Sequence, residues 1–425
     1  MTLYDHYCKA YKVSTDSRNI EPDAVFFALK GERFDGNDFA IEVAEKGIAS
    51  LVVADRQNLP DHPRLLKVED SLKALQELAH HHRQQLKNLT VIGITGTNGK
   101  TTTKELVSAV LSKKYRVTFT QGNYNNHIGV PLTLLSIKPD TEIAIVEMGA
   151  NHPGEIKALT DIACPDYGII TNIGRAHLEG FGSFEGVIKT KNELYEHLRV
   201  HHKTAFVNSD NELLMSLIGD LHYYSYGSGA EAACNVKLKA SNPYLSVTTE
   251  RLGDIQTKLV GAYNLENVSA AIAVGNFFSV DGEDIRQALE QYQPTNSRSQ
   301  VIEGKNHIIM DAYNANPTSM SASVSNFKNI CGDKPLLILG DMRELGDASE
   351  QEHRAILDLL AASGFHEAFL VGDCFGRYNN NPEYNCFQKV EDLIAYLEQH
   401  PLEHRTILVK GSHGVHLEKV LPLIQ

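Results

Sequence analysis

VIGITGTNGKTTTKEL, residues 91–106, decides how the rest of the chain is read. Val91 to Ile94 are apolar or small and predict a buried parallel strand; Lys100 and three threonines open a helical pattern. In the turn between them, Gly96 and Gly99 let the backbone approach a polyanion closely. The helix start offers unpaired N–H groups and a partial positive charge. Lys100 is placed to reach terminal phosphates and the Thr101 hydroxyl to ligate Mg2+. The general nucleotide loop wants glycine five residues before Gly99, where this chain has Ile94, so only the shorter G-T-N-G-K-T is present. A ligand-free turn accounts for the glycines but not for Lys-Thr behind them. The stretch predicts a nucleoside triphosphate site.

Downstream, apolar strands at 116–119, 141–148, 167–173 and 204–208 alternate with helical stretches, the pattern of a parallel sheet covered on both faces. Ligands gather at the carboxyl ends of such strands. Glu147 ends one of them and is read as a Mg2+ ligand, direct or through water. His177 follows the next strand, rimmed by glycines, and position is its only argument. In the helix from Phe184, Lys191 falls on the apolar face with Leu194 and Leu198, while Lys189 points away. Either its stem packs and its head escapes to water, or it is chemically special: a substrate contact, or an amine that has reacted with CO2. Residues 222–260 are rich in β-formers and turns and are expected to form a small antiparallel appendage. Asn264 is expected to cap the alanine-rich helix after it, and Asn267 stands one turn on; both can offer amides to a base or ribose.

Upstream lies a small α/β segment with strands at 24–29 and 50–54 and a helix at 39–47. Asp70 is expected to cap the helix SLKALQELAHHHRQQL. Its run His80 to His82 cannot converge on one metal ion, because adjacent helical positions diverge, and it is read as a solvated face. Two polar loops, STDSR at 14–18 and GERFDGNDF at 31–39, flank the first strand. Towards the other end, Gln293 to Ser299 read as a linker. Strands at 307–310, 336–339, 368–371 and 406–409 then form a second doubly wound unit. Its loops DAYNANPTSM, GDMRELGD and KGSHG lie on one edge, so a cleft that closes on substrate is expected, with Arg298 reaching a γ-phosphate.

The whole is an α/β chain of three domains: a small N-terminal α/β domain (1–86), a central P-loop parallel-sheet ATPase domain (87–295) and a C-terminal Rossmann-like domain (296–425). A formal net charge of −13 argues against nucleic-acid binding. Six cysteines without a C-x-x-C pair, no apolar leader and no membrane-length apolar run predict a cytoplasmic chain that does not insert in membranes.

Taken together, TDSR with GERFDG, GTNGKTTTKE, NYNNHIGVP, VEMGANHPGEI, NIGRAHLEGFGS with its downstream K-x-E, GAYNLENVSAA, DAYNANPTSM, GDMRELG and VKGSHG resemble the ATP-dependent Mur ligases of peptidoglycan synthesis. The likeness covers essentially the whole chain in order. YNANP, GDMxELG and ANHPGEI look like the member that adds D-alanyl-D-alanine to UDP-N-acetylmuramoyl-tripeptide through an acyl phosphate.

The resemblance implies that Gly96, Thr97, Asn98, Gly99, Lys100, Thr101 and Thr102 bind ATP. It implies that Thr101, Glu147 and His177 serve two Mg2+ ions, with Lys191 carbamylated to steady the second. Asn264 and Asn267 would contact the nucleotide, and Arg298 and Asp311 the far side of the ATP site, with Tyr313 and Asn314 near the dipeptide. Ser17, Arg33 and Phe34 would lie at the uridine end, and Asn125, Asn126 and Asn151 near the sugar–peptide. Lys100, Lys191, His177 and Arg298 are the expected catalytic set, and a monomer is expected. Tyr263 and His413 depart from the histidine and arginine usual at those positions. Competing readings are another Mur-type ligase adding a diamino acid or glutamate, a P-loop kinase, and a nucleotide-controlled switch.

Overall fold

The computed structural model describes residues 1–31, 34–294, 298–332 and 334–425. Four sheets organise it. The first has four parallel strands, Val13–Ser14, Val25–Phe27, Leu51–Ala54 and Leu65–Lys67, in chain order. The second has seven parallel strands ordered Cys234–Asn235, His222–Gly227, Thr204–Asn208, Tyr167–Ile170, Thr90–Thr95, Ile143–Glu147, Val117–Phe119. After Thr90–Thr95 the chain crosses to the edge strand Val117–Phe119, comes back through Ile143–Glu147, and then builds outward on the other side. The glycine-bearing turn therefore sits at a topological switch point, at the carboxyl ends of the strands.

The appendage expected over 222–260 is smaller than that. His222–Gly227 pairs parallel with Thr204–Asn208 and extends the central sheet; only Lys237–Val260 forms a three-stranded antiparallel sheet. A short crossover helix, Glu212–Ile218, makes the parallel pairing possible, capped by Asn211, whose side chain accepts from Leu214 N–H. The last sheet contains the four strands read from the sequence plus two edge strands, Gln300–Glu303 and Tyr384–Phe387, the first antiparallel. Among the described residues no helix is long and apolar enough to cross a membrane.

The first two sheets are welded by a shared core. Helix Ser71–Gln85, capped by Asp70 at Lys73 N–H, lays Leu75, Leu78 and Ala79 against Val130, Leu134 and Leu159 of the central unit. One histidine of the run is a correction to the solvated-face reading. His82 is buried, its Nε2 bonded to the Ile137 carbonyl at 2.9 Å and its Nδ1 to Tyr4 Oη at 3.2 Å, with the Tyr7 ring at 4.9 Å. It lies on the helix's apolar face, where ring burial outweighs the polarity of the imidazole once both nitrogens are satisfied.

Burial lowers the pKa of His82, so the folded state holds it neutral while the unfolded chain protonates it near pH 6.5. Its contribution is present above the unfolded value and is lost as pH falls from there towards the folded value. His82→Ala should cost about 2–4 kcal/mol by denaturant unfolding at pH 7.5, from the lost ring and an unpaired carbonyl. The difference from the parent should narrow below about pH 6.

Candidate functional site

The strand Thr90–Thr95 runs into the turn Gly96–Gly99 and then into helix Lys100–Leu111. Gly99 sits at the helix start at φ 78°, where a Cβ would collide with Asn267 Oδ1. No side chain caps this helix among the described residues, so its first N–H groups face the cleft. The turn is braced from behind. Thr97 and Asn98 donate their N–H groups to the carbonyl and side chain of Asn172 at 2.9 and 3.0 Å. Thr171 Oγ1 donates to the Asn98 carbonyl at 2.6 Å. Thr103 Oγ1 donates to Asn267 Oδ1 at 3.0 Å, Asn267 Nδ2 to Asn264 Oδ1 at 2.8 Å, and Asn264 Nδ2 to the Val260 carbonyl at 2.8 Å. Asn264 makes no capping bond: its backbone is helical and its amide is spent on this chain. The expected cap is therefore corrected to an internal brace, although both asparagines line the cleft.

Lys100 Nζ donates to the carbonyls of Gly96 and Thr97, each at 2.9 Å. Desolvation brings its pKa down to about 8, opposed by Glu147 and reinforced by Arg298. Glu147, 1% exposed at its strand end, accepts from Thr101 Oγ1 at 2.9 Å and Asn125 Nδ2 at 2.8 Å. Its buried counter-charge is Lys104, whose Nζ lies 3.9 Å away and donates to the Thr120 carbonyl at 2.7 Å. The sequence reading missed Lys104. Its signal was the helical period, which puts it on the same face as Val107 and Leu111.

Lys191 lies in helix Phe184–Val200, opened by the Ser183 cap. Its amine is inside, 2% exposed, which removes the reading in which the head escapes to water. Its one hydrogen bond among the described residues is a long one, 3.5 Å to the Ala150 carbonyl, and the Phe181 ring lies 5.5 Å away. Desolvation and then repulsion from Lys100 bring its pKa to about 7, so much of it is uncharged near neutrality. His177, in a left-handed conformation at φ 51°, pairs through Nδ1 with Glu344 of the GDMRELGD loop. That partner was not read from the sequence.

The C-terminal unit closes the other side. Arg298 lies over the Tyr313 ring, 3.6 Å from its centre. Asp311 accepts from Lys410 Nζ at 2.7 Å, Ser323 Oγ at 2.9 Å and Ser299 N–H at 3.2 Å, and Ser299 Oγ meets Tyr263 Oη at 2.8 Å. Asn316 Nδ2 donates to Asn98 Oδ1 at 2.8 Å, and Arg175 Nη1 to Glu352 at 3.1 Å. The result is a cleft of about 730 Å³.

Thr97 to Thr102, Glu147, His177, Asn264, Asn267, Arg298 and Asp311 all line this cleft, as do Asn125, Asn126, Asn151, Tyr313 and Asn314. Gly96 stands behind it, against Thr171. Lys191 stands behind the wall. Ser17 and Phe34 lie apart from the cleft; Phe34 is 60% exposed on its loop, and Arg33 falls outside the described residues. Asp341, His353 and Cys374 are close enough to suggest a metal centre elsewhere. Their donors are already used: Asp341 accepts from the N–H groups of Cys374 and Phe375, and His353 Nε2 from Met342 N–H.

Comparison with known proteins matches residues 9–83 to the Mur ligase family catalytic domain, 94–275 to the Mur ligase middle domain and 297–413 to the Mur ligase glutamate ligase domain. The UDP-N-acetylmuramoyl-tripeptide–D-alanyl-D-alanine ligase of Bacillus subtilis is 36% identical over 96% of this chain and 92% of its own. That of Escherichia coli is 34% identical over 97% and 93%. A crystal structure of MurF from Acinetobacter baumannii superposes with a TM-score of 0.85 at 31% identity, covering 97% of this chain and 92% of its own. MurF from Thermotoga maritima in complex with ADP gives 0.84 at 27% identity, over 97% and 96%.

Gly99→Ala should abolish measurable nucleotide binding by calorimetry, since the new methyl group meets Asn267 at a left-handed backbone position. The same change should lower stability by about 1–3 kcal/mol.

Proposed function

The chain belongs to the Mur ligase family, and from that premise we propose that it joins D-alanyl-D-alanine to UDP-N-acetylmuramoyl-tripeptide at the expense of ATP. The observation that carries this reading is one cleft in which the phosphate turn, the Glu147 cluster and the 311–318 loop of the C-terminal unit face each other. Full-length likeness to relatives named for that reaction supports the choice of substrates. The tripeptide carboxylate attacks the γ-phosphorus of ATP, the bond to ADP breaks, and an acyl phosphate forms. The dipeptide amine then attacks the acyl carbon, phosphate leaves with the bonding pair, and the amine's proton passes to solvent. The product is the UDP-muramoyl-pentapeptide of peptidoglycan precursor synthesis.

The first step must bring an anionic carboxylate against a triphosphate. Lys100 and the uncapped helix start supply positive charge on one side and Arg298 on the other. Arg298 lies over the Tyr313 ring, which restrains the guanidinium before substrate arrives. Asn125 is positioned by Glu147, leaving the rest of its amide towards the cleft.

The buried Glu147 carboxylate and the Thr101 hydroxyl beside it are hard oxygen donors that suit Mg2+. His177 and Lys191 are the candidates to hold a second ion. Mg2+ bound there would screen the charge between carboxylate and triphosphate. A buried amine whose one hydrogen bond among the described residues is long, and which feels Glu155 and Glu193 only through charge, suits conversion to a carbamate, which would supply an anionic ligand.

Phosphate release from ATP with UDP-muramoyl-tripeptide and Mg2+ should require D-alanyl-D-alanine and match pentapeptide formed one for one. Release that responds instead to a diamino acid would move the chain to another Mur-type ligase, and release indifferent to any amine would favour a nucleotide-controlled switch. Lys191→Ala should lose at least about a thousandfold in turnover while still binding ADP by calorimetry. Parent-like turnover in that variant would remove the carbamate role.

A further inference from the structure

The contact between Asn98 and Asn316 joins the tip of the phosphate turn to the C-terminal unit, and it is used by nothing described so far. Asn98 precedes Gly99, and its backbone N–H and carbonyl are both held from behind by Asn172 and Thr171. Its side chain is left facing the C-terminal unit, where among the described residues its one partner is Asn316.

Asn316 is the cap of helix Pro317–Ile330. Its Oδ1 accepts from Ser319 N–H at 2.9 Å, Ser319 Oγ accepts from its own N–H at 3.1 Å, and Pro317 fixes the first helical position. This box locks the amide plane, because turning the amide over would break the cap. The other end of that locked amide, Nδ2, donates to Asn98 Oδ1 at 2.8 Å. A continuous chain of hydrogen bonds thus runs from the helix start through Asn316 into the turn. Beside it, Arg175 N–H donates to Thr318 Oγ1 at 3.2 Å, which sets the same helix end against the strand end that braces the turn.

We infer that Asn316 is a positioning residue that couples docking of the C-terminal unit to the geometry of the phosphate turn, acting through Asn98. Docking orients the Asn98 amide, and the turn is fully ordered for phosphoryl transfer only when helix Pro317–Ile330 is in place. This rests on the reading of the cleft as the place of phosphoryl transfer, not on which amine is the acceptor.

Capping and coupling are separable by substitution. Asn316→Ser keeps a capping oxygen for Ser319 N–H but is too short to reach Asn98. Asn98→Ala removes the partner and leaves the backbone contacts of the turn. In Asn316→Ser, affinity for a non-hydrolysable ATP analogue should stay within about twofold and the unfolding midpoint should not move, while kcat falls by roughly tenfold or more. Asn98→Ala should lose a comparable factor in kcat, and the double variant should be no slower than the slower single.

Losses that multiply in the double variant, or an unchanged kcat in Asn316→Ser, would overturn the coupling. A fall in its unfolding midpoint would return Asn316 to a capping role alone. The cycle is run with the amine that supports phosphate release, so a different acceptor would change the proposed reaction and leave this test intact.

Discussion

The left-handed turn at Gly99 is the constraint on which the rest of the molecule depends. A helix start can hold phosphate only if its first N–H groups stay free of protein partners, and free donors inside a fold are costly. The turn must therefore be rigid without being capped. The structure achieves this by tying down the groups around them: the N–H groups of Thr97 and Asn98 to Asn172, the Asn98 carbonyl to Thr171, and the Gly96 and Thr97 carbonyls to Lys100. Asn267, pressed against Gly99 and bonded to Thr103, closes the back. The bracing residues come from the next sheet strand and from a helix some 170 positions later in sequence. The central sheet has to be complete before the turn is.

Charge is distributed by the same logic. Two lysines lie fully inside the central unit, and their surroundings set them apart. Lys104 has a carbonyl at 2.7 Å and the Glu147 carboxylate at 3.9 Å, so both charges are compensated in place. Lys191 has, among the described residues, one long hydrogen bond to a carbonyl, and the repulsion of Lys100 acts against a weaker pull from each of Glu155 and Glu193. A buried ammonium without a paired anion sheds its proton or reacts. The first lysine reads as structural support for a carboxylate; the second is chemically available.

What could be read from the sequence follows from how local each signal is. The parallel sheets, the phosphate turn and the apolar-face position of Lys191 depend on neighbours within one helix or strand. The pairing of His222–Gly227 depends on a partner strand, and β-rich composition cannot name one. His82 falls on the apolar face by helical period, yet the polar run around it reads as a solvated surface; its two satisfying partners, Tyr4 and Ile137, are distant in sequence. Asn264 looked like a cap because asparagine at a helix start usually is one, and the buried carbonyl of Val260 outcompeted that role. Glu344 and Asn316 sit in loops recognised as polar, but their partners His177 and Asn98 lie in another unit. Asn-Pro-x-Ser did carry a cap signature, an asparagine, then proline at the first helical position, then a hydroxyl two residues on.

The two interfaces of the central unit differ in kind, and the difference bears on turnover. Towards the N-terminal sheet the contact is an apolar core shared by Tyr7, Leu75, Leu78, Val130 and Leu134, and separating it would expose that surface to water. Towards the C-terminal unit the contacts around the cleft are polar: Asn98 with Asn316, Arg175 with Glu352, His177 with Glu344. Such bonds exchange with water at a net cost of about 1 kcal/mol each. Apolar contact between these units includes Val260 and Tyr244 on the C-terminal core, beside the strand that follows the linker. The polar seam is therefore the one that parts at less cost, and the apolar contacts beside the linker hold the two units together next to it. The groups set against the phosphate turn across that seam are those of the 298–318 segment.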